Sequence, residues 1–337
     1  MLVNKFDVAL QKANSVARDP YLSKLKPALI EVDEMLDQSP EFIEYKKELN
    51  ALISNNNFGV DGKLTEQFSQ ILGEAQFIAI CLKKGIAIER VPEDVNKTPD
   101  FKMKLELQEL FFEIKTPSVI NGSHGITLAQ ESSLNSKIDI ETQIAKGKNV
   151  VFGVSESQPY ANKVKQNNTI LGVSNELLEK ARRNIKVGQF SNPNTFLVLN
   201  LSIIPPLETK VKALRPAYPC DYLFPKAVTG ELWMIAFGCE GMLILGNPEF
   251  EGKPCVEGTF KKMGILIDPE YESVAGIIFM VHPLGGPTQL YGLYRSKDWI
   301  NWNDNNQNIA EGLLLLTNNN WNDCGDSNGC KLSEENP

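Results

Sequence analysis

The sequence predicts a mixed α/β protein, and three patterns carry that prediction. Apolar residues recur at helical spacing over 64–84, which indicates an amphipathic helix. Apolar and polar residues alternate over 100–107, as they do in half-buried strands, and a second extended run follows over 110–116. A further run, 196–202, is almost wholly apolar and fits a strand buried on both faces. Helices and strands that follow one another along one chain favour an α/β or α+β fold over a pure class.

Composition narrows the class of protein. Of 337 residues, 42% are hydrophobic and 23% are charged, a balance typical of globular proteins. No apolar run approaches the roughly 20 residues that span a bilayer, and the N-terminus lacks a signal-peptide core. We therefore expect a cytoplasmic protein with no membrane partner. The net charge of −8 argues against a surface coated in positive charge, although a local basic cluster such as 180–186 can still contact phosphates.

The N-terminal part of the chain predicts helices. Residues 1–57 have apolar positions at roughly helical spacing and form a predicted helical extension. The stronger helix at 64–84 follows, with Thr65 able to cap its start and Gly85 directly after its end.

Strands follow this helix. They are predicted over 86–91, 100–107 and 110–116, and Gln108-Glu109 suits a hairpin turn between the last two. The pattern then becomes irregular over 118–173.

The irregular stretch leads back to regular structure. Within it we predict a helix over 138–146 and a strand over 150–154. Ser174 is a candidate N-cap for a helix over 175–187, which precedes the buried strand at 196–202.

Beyond residue 205 the sequence predicts a β-rich C-terminal region over 206–317 and a disordered tail over 318–337. Short apolar runs between turn residues predict its strands, at 232–237, 242–245, 263–267, 276–281 and 289–294.

Three charged residues in the predicted strands suggest chemistry. Glu113 and Lys115 are two apart in one strand and therefore project from the same face. A carboxylate between Phe112 and Ile114 is costly unless it is paired or bound to a metal. Asp100, at the start of the preceding strand, supplies a second carboxylate, and paired carboxylates suit a hard cation such as Mg²⁺.

The order of these elements resembles the PD-(D/E)XK nuclease superfamily, which has the restriction-endonuclease-like fold. A helix carries an acid, Glu74; Pro99-Asp100 opens the second strand; and Glu113-Ile114-Lys115 lies in the third. The resemblance covers roughly residues 64–202. It implies a core over 58–205, with an insertion at about 118–173, in which helices flank a central mixed sheet.

The resemblance also implies an activity, a Mg²⁺-dependent endonuclease that hydrolyses phosphodiester bonds. Asp100, Glu113 and Glu74 hold the metal, for which Mn²⁺ can substitute, and Lys115 completes the catalytic set. Lys180 and Arg183, on the helix before the last core strand, contact the nucleic-acid backbone. We expect DNA rather than RNA as substrate, a role in defence against foreign DNA or in repair, a homodimer, and a partner or activator protein.

Several alternatives stay open at the level of sequence. Glu66 can take the place of Glu74, and Gln143 or Lys146 the place of the basic pair. Glu113 and Lys115 can instead be an ordinary exposed pair on a solvated strand face. The protein can also keep the fold without catalysis, as a nucleic-acid-binding or protein-interaction module, or be another metal-dependent enzyme.

Overall fold

The computed structural model describes residues 1–16, 22–92, 98–117, 122–155, 169–202, 217–219, 227–246, 255–281, 287–295 and 304–317. Its α-helices are α1 (Leu2–Val16), α2 (Lys26–Met35), α3 (Ile43–Ile53), α4 (Gly62–Lys83), α5 (Gly122–Ala145), α6 (Ile170–Asn184), α7 (Glu231–Phe237) and α8 (Asp304–Leu316). Its strands are β1 (Glu89–Arg90), β2 (Phe101–Lys104), β3 (Glu109–Lys115), β4 (Thr195–Asn200), β5 (Ala217–Pro219), β6 (Ala227–Thr229), β7 (Leu243–Gly246), β8 (Cys255–Thr259), β9 (Gly276–Val281) and β10 (Gln289–Tyr294).

Internal contacts divide the chain into two compact units. The first comprises Met1–Ile80, Ser118–Asn162 and Ser202–Pro205, and the second comprises the remaining residues. The predicted boundaries at residues 57 and 205 stay predictions. No described helix is long and apolar enough to cross a membrane.

The first unit is helical where the sequence predicts helices. Its core includes the rings of Phe6, Phe58 and Phe68, which are all buried and whose centroids lie 5.0 to 6.0 Å apart. The predicted helix over 64–84 is confirmed as α4. The helix predicted over 138–146 is confirmed but is far longer, since α5 begins at Gly122.

The prediction of a strand over 150–154 is wrong. These residues have no regular secondary structure, because no described strand lies beside them to complete a hydrogen-bond ladder. They run along α5 instead, where the Gln143 side-chain amide donates to the Phe152 carbonyl at 2.8 Å.

The second unit contains a six-stranded mixed sheet in the order β1-β2-β3-β4-β9-β10. The β3–β4 and β4–β9 pairs are parallel and the other pairs are antiparallel. The mixed α/β class with a central mixed sheet flanked by helices is thereby confirmed. The C-terminal strands β9 and β10 are part of this central sheet, while β5–β6 and β7–β8 form two small separate sheets.

An aromatic row fixes one face of the central sheet. The rings of Phe112, Phe196 and Tyr294 follow one another across the strands, with centroids 6.1 and 6.0 Å apart. Gly276 is on β9, between the strands that carry Phe196 and Tyr294. A Cβ at this position would come within 2.7 Å of the Tyr294 ring. Because glycine leaves that space open, the two rings can meet over the sheet.

Two further strand predictions are wrong. Residues 232–237 form most of α7, and all six are buried; a short apolar run does not by itself distinguish a buried helix from a strand. Residues 263–267 form a turn, in which Ile265 and Leu266 donate to carbonyls at the end of α7 at 2.9 Å each. Those amides therefore complete a helix terminus and not a strand ladder.

The helix ends also differ from the prediction. α6 starts at Ile170, where the Thr169 hydroxyl accepts a hydrogen bond from the Gly172 amide at 3.0 Å. Ser174, the predicted cap, is buried inside this helix. α8 was not predicted; Gly312 on α8 packs against Leu105 of the β2–β3 turn. The predicted disordered tail lies outside the described residues.

Candidate active site

Asp100 contacts β3 on both sides of Glu113. The Asp100 amide donates to the Phe112 carbonyl at 3.0 Å, and Oδ2 of Asp100 accepts from the Ile114 amide at 2.7 Å. The carboxylate thus takes the place of a backbone carbonyl directly before the first residue of β2, where the hydrogen-bond ladder with β3 begins. This arrangement holds the first carboxylate beside the chain segment that carries the second.

Glu113 is 0% exposed at the centre of the sheet, where it pairs in register with Leu197 of β4. Lys115 forms a direct ion pair with its Oε1, and the Lys115 side chain is 20% exposed. The two residues therefore do not form an ordinary pair on a solvated face. A buried carboxylate needs such partners because the apolar interior solvates its charge poorly.

Gln189 is a third neighbour of this carboxylate that sequence reasoning missed. It lies in a short 3₁₀ helix, Val187–Phe190, on the connection from α6 to β4. Its Nε2 donates to Oε1 of Glu113 at 2.5 Å. Its Oε1 is buried and has no hydrogen-bond partner among the described residues. The sequence carries no local signal for this contact, because the contact depends on the path of the chain from α6 to β4.

The helical acids lie in the first unit. Oε2 of Glu74 accepts from the Tyr45 hydroxyl at 2.9 Å, and Glu66 lies two turns earlier on the same helix α4. The structure thus brings together Asp100, Glu113 and Lys115 in the second unit, and Glu74 as a further ligand stays a prediction.

The predicted basic pair has two different environments. Lys180 is buried within α6, whereas the Arg183 side chain is 71% exposed and lies 3.9 Å from Glu179. Between them, Arg182 donates to the Met263 carbonyl and to Asp268, both at 2.5 Å. Only Arg183 of these cations is on an open surface where it can reach a phosphate.

The two alternatives to the basic pair, Gln143 and Lys146, lie on α5 and directly after it. The Gln143 amide, on α5 of the first unit, donates to Asp139 at 2.9 Å as well as to the Phe152 carbonyl. Lys146 is exposed directly after that helix. Gln143 is thus engaged in holding the 150–154 stretch.

The donor set beside Glu113 fits a hard cation. Carboxylate oxygens, which Asp100 and Glu113 supply, are the ligand type that Mg²⁺ binds. Among the described residues no group of three or more His, Cys, Asp and Glu side chains could hold a metal ion.

No protein-family model, no curated protein and no solved structure matches this chain.

Proposed function

We propose that this protein is a Mg²⁺-dependent endonuclease with a restriction-endonuclease-like core, and that it hydrolyses phosphodiester bonds in DNA. One observation carries the proposal. Glu113 is wholly buried in the middle of the sheet, and one of its carboxylate oxygens contacts both Lys115 and Gln189. Asp100 accepts a hydrogen bond from the next residue of the same strand. A fold gains little stability from such a buried charged cluster, which supports a functional reason for it.

Each residue has a role in this proposal. Asp100 and Glu113 hold the metal, with Glu74 as a further candidate ligand. When bound, Mg²⁺ supplies a polarised phosphate and a bound water of lowered pKa. Lys115, the partly exposed member of the cluster, stabilises the charge that develops on the phosphate. Gln189 fixes the orientation of the Glu113 carboxylate, as outer groups do at metal sites.

The exposed guanidinium of Arg183 is the better candidate for contact with the DNA backbone, since Lys180 is buried. The preference for DNA, the use of Mn²⁺ in place of Mg²⁺, a role in defence or repair, and a partner or activator protein rest on the family resemblance.

The test is incubation of the full chain with supercoiled and linear DNA, each with Mg²⁺ or with a chelator. We expect the wild type to cut and Lys115→Ala to cut at least about 100-fold more slowly, because it loses a cation at the reacting phosphate. Lys104→Ala is the control, as Lys104 is an exposed strand lysine that pairs with Glu89. An RNA of the same sequence gives the substrate preference. Equal cutting by Lys115→Ala and wild type would contradict the assignment.

A second candidate is an inactive module that keeps the cluster for structure and binds nucleic acid or protein. The observation that favours it is the complete burial of Glu113 behind Lys115 and Gln189. This candidate predicts no cutting by the wild type at any metal concentration. It also predicts that Arg183→Ala weakens DNA binding, whereas Lys115→Ala leaves it unchanged.

A further inference from the structure

An apolar ridge lies on the surface of the first unit. The side chains of Val150, Phe152 and Val154 are 79%, 70% and 70% exposed, respectively. Alternate residues of an extended segment project from one side, so these three form one continuous ridge. Isolated exposed apolar residues are common, but a contiguous row with an aromatic centre marks an interaction surface.

This segment is held in place along α5. The Phe152 carbonyl accepts from Gln143, and the hydroxyls of Ser155 and Ser133 lie 3.1 Å apart. Between these two contacts the segment advances three residues, from Phe152 to Ser155, while α5 is followed back ten residues, from Gln143 to Ser133. The segment is therefore extended and antiparallel to α5. Gly153 permits the close approach, since a Cβ there would lie 2.7 Å from the Ser136 carbonyl oxygen.

One backbone edge of the segment is open. Among the described residues, Val151 and Gly153 make no backbone–backbone hydrogen bonds. Their amides and carbonyls point away from the edge that Gln143 contacts, because successive peptide groups of an extended chain face opposite edges. The composition, Val-Val-Phe-Gly-Val, has high strand propensity. The segment is thus an extended stretch that has no strand beside it among the described residues, and such an open edge is a template for a strand.

The sequence around Phe152 is complementary to itself. If two copies pair antiparallel about Phe152, Val150 faces Val154 and Asn149 faces Ser155. Counted along the sequence in the same register, Lys148 is matched with Glu156. The sequence pattern therefore matches opposite charges at both ends and apolar residues in the middle, which suits an isologous two-fold pairing.

From this complementarity we propose that the 150–154 segment is a dimerisation strand, which pairs antiparallel with the same segment of a second copy of this chain. This dimer does not depend on the nuclease proposal.

Cross-linking tests the register directly. Facing residues of an antiparallel pair have Cα atoms about 4.5–5.5 Å apart, a separation that a disulfide bridges. We expect Phe152→Cys to give a covalent dimer under mild oxidation, seen on a non-reducing gel. Leu107→Cys, with the residue 72% exposed in the β2–β3 turn, is the matched control, and it should give no more dimer than the wild type.

Sedimentation of the full chain tests the energetics. Phe152→Lys should raise the dimer dissociation constant at least about tenfold, because both copies lose a buried aromatic contact, whereas Leu107→Lys should not. Lys148→Glu and Glu156→Lys should each weaken the dimer, and the double variant should restore it. That restoration separates a pairing effect from misfolding.

A wild-type chain that stays monomeric would overturn the proposal, even if the ridge then binds a different protein. A dimer that neither Phe152→Lys nor the charge changes weaken would overturn it as well.

Discussion

The side-chain amide of Gln189 donates to Oε1 of Glu113 at 2.5 Å, across 76 residues of sequence. This contact ties the connection before β4 to the centre of β3. It also places a buried amide beside the Glu113 carboxylate, and so makes Gln189 the first residue to test beyond the sequence motif.

Gln189→Ala should lower DNA cleavage by about 10- to 100-fold, the usual effect of losing a group that orients a metal ligand. The fold should remain, because the residue lies in a short connection. Cleavage rates as a function of Mg²⁺ concentration, with circular dichroism as a check of folding, measure this. Gln143→Ala is the control, since that glutamine also donates two side-chain hydrogen bonds but lies in the first unit. Equal effects of the two changes would contradict the role of Gln189.

The adjacent arginines of α6 should separate stability from binding. Arg182 contacts Asp268 and the Met263 carbonyl and lies over the Tyr271 ring, 5.2 Å from its centroid. We expect Arg182→Ala to reduce the free energy of unfolding by about 2–4 kcal/mol, because Asp268 loses its partner. Arg183 is exposed, so Arg183→Ala should reduce the free energy of unfolding by less than about 0.5 kcal/mol. Urea unfolding of both variants measures the difference, and similar losses would refute this division.

A buried ion pair in the first unit should make stability depend on pH. Asp33 is buried and pairs with Lys46 at 2.8 Å. Burial acts to raise the pKa of Asp33, but hydrogen bonds from Lys46 and from the Leu2 and Val3 amides outweigh it, so that the pKa lies below its ordinary value. The stabilisation is therefore present above the pKa of the unfolded chain and is lost as the pH falls through the lower folded pKa.

The measurement is the free energy of unfolding between about pH 6 and pH 3, where an unperturbed Asp titrates. At the upper end of this pH range, Asp33→Asn should have a lower free energy of unfolding than the wild type. Its free energy of unfolding should also fall less steeply as the pH is lowered. Lys46→Met should cost about 3 kcal/mol by leaving a buried charge, and the exposed Lys47→Met less than about 0.5 kcal/mol. A pH profile identical in wild type and Asp33→Asn would contradict this origin.

Gly276→Ala should destabilise the central sheet by about 1–3 kcal/mol, because the added methyl group meets the Tyr294 and Phe196 rings at 2.7 and 3.1 Å. Thermal unfolding measures the loss. In a Tyr294→Leu background the same change should cost less, as the closer ring is gone. An undiminished cost in that background would point to the backbone and not to the rings.

The sequence by itself determined the local features. Alternation in β2 and β3 placed Glu113 and Lys115 on one face, and the Pro-Asp start of the preceding strand placed Asp100 beside them. These positions follow from the two-residue period of a strand and a short hairpin, which need no knowledge of distant contacts. The amphipathic helix α4 followed from its own periodicity in the same way.

Tertiary structure decided what distant parts of the chain contribute. Burial turned 232–237 into α7 rather than a strand, and pairing placed β9 and β10 in the central sheet. The contact from Gln189 to Glu113 likewise depends on the path of the chain from α6 to β4. Such contacts form because folding must satisfy every buried polar group and fill the core at once, and no local pattern encodes that requirement.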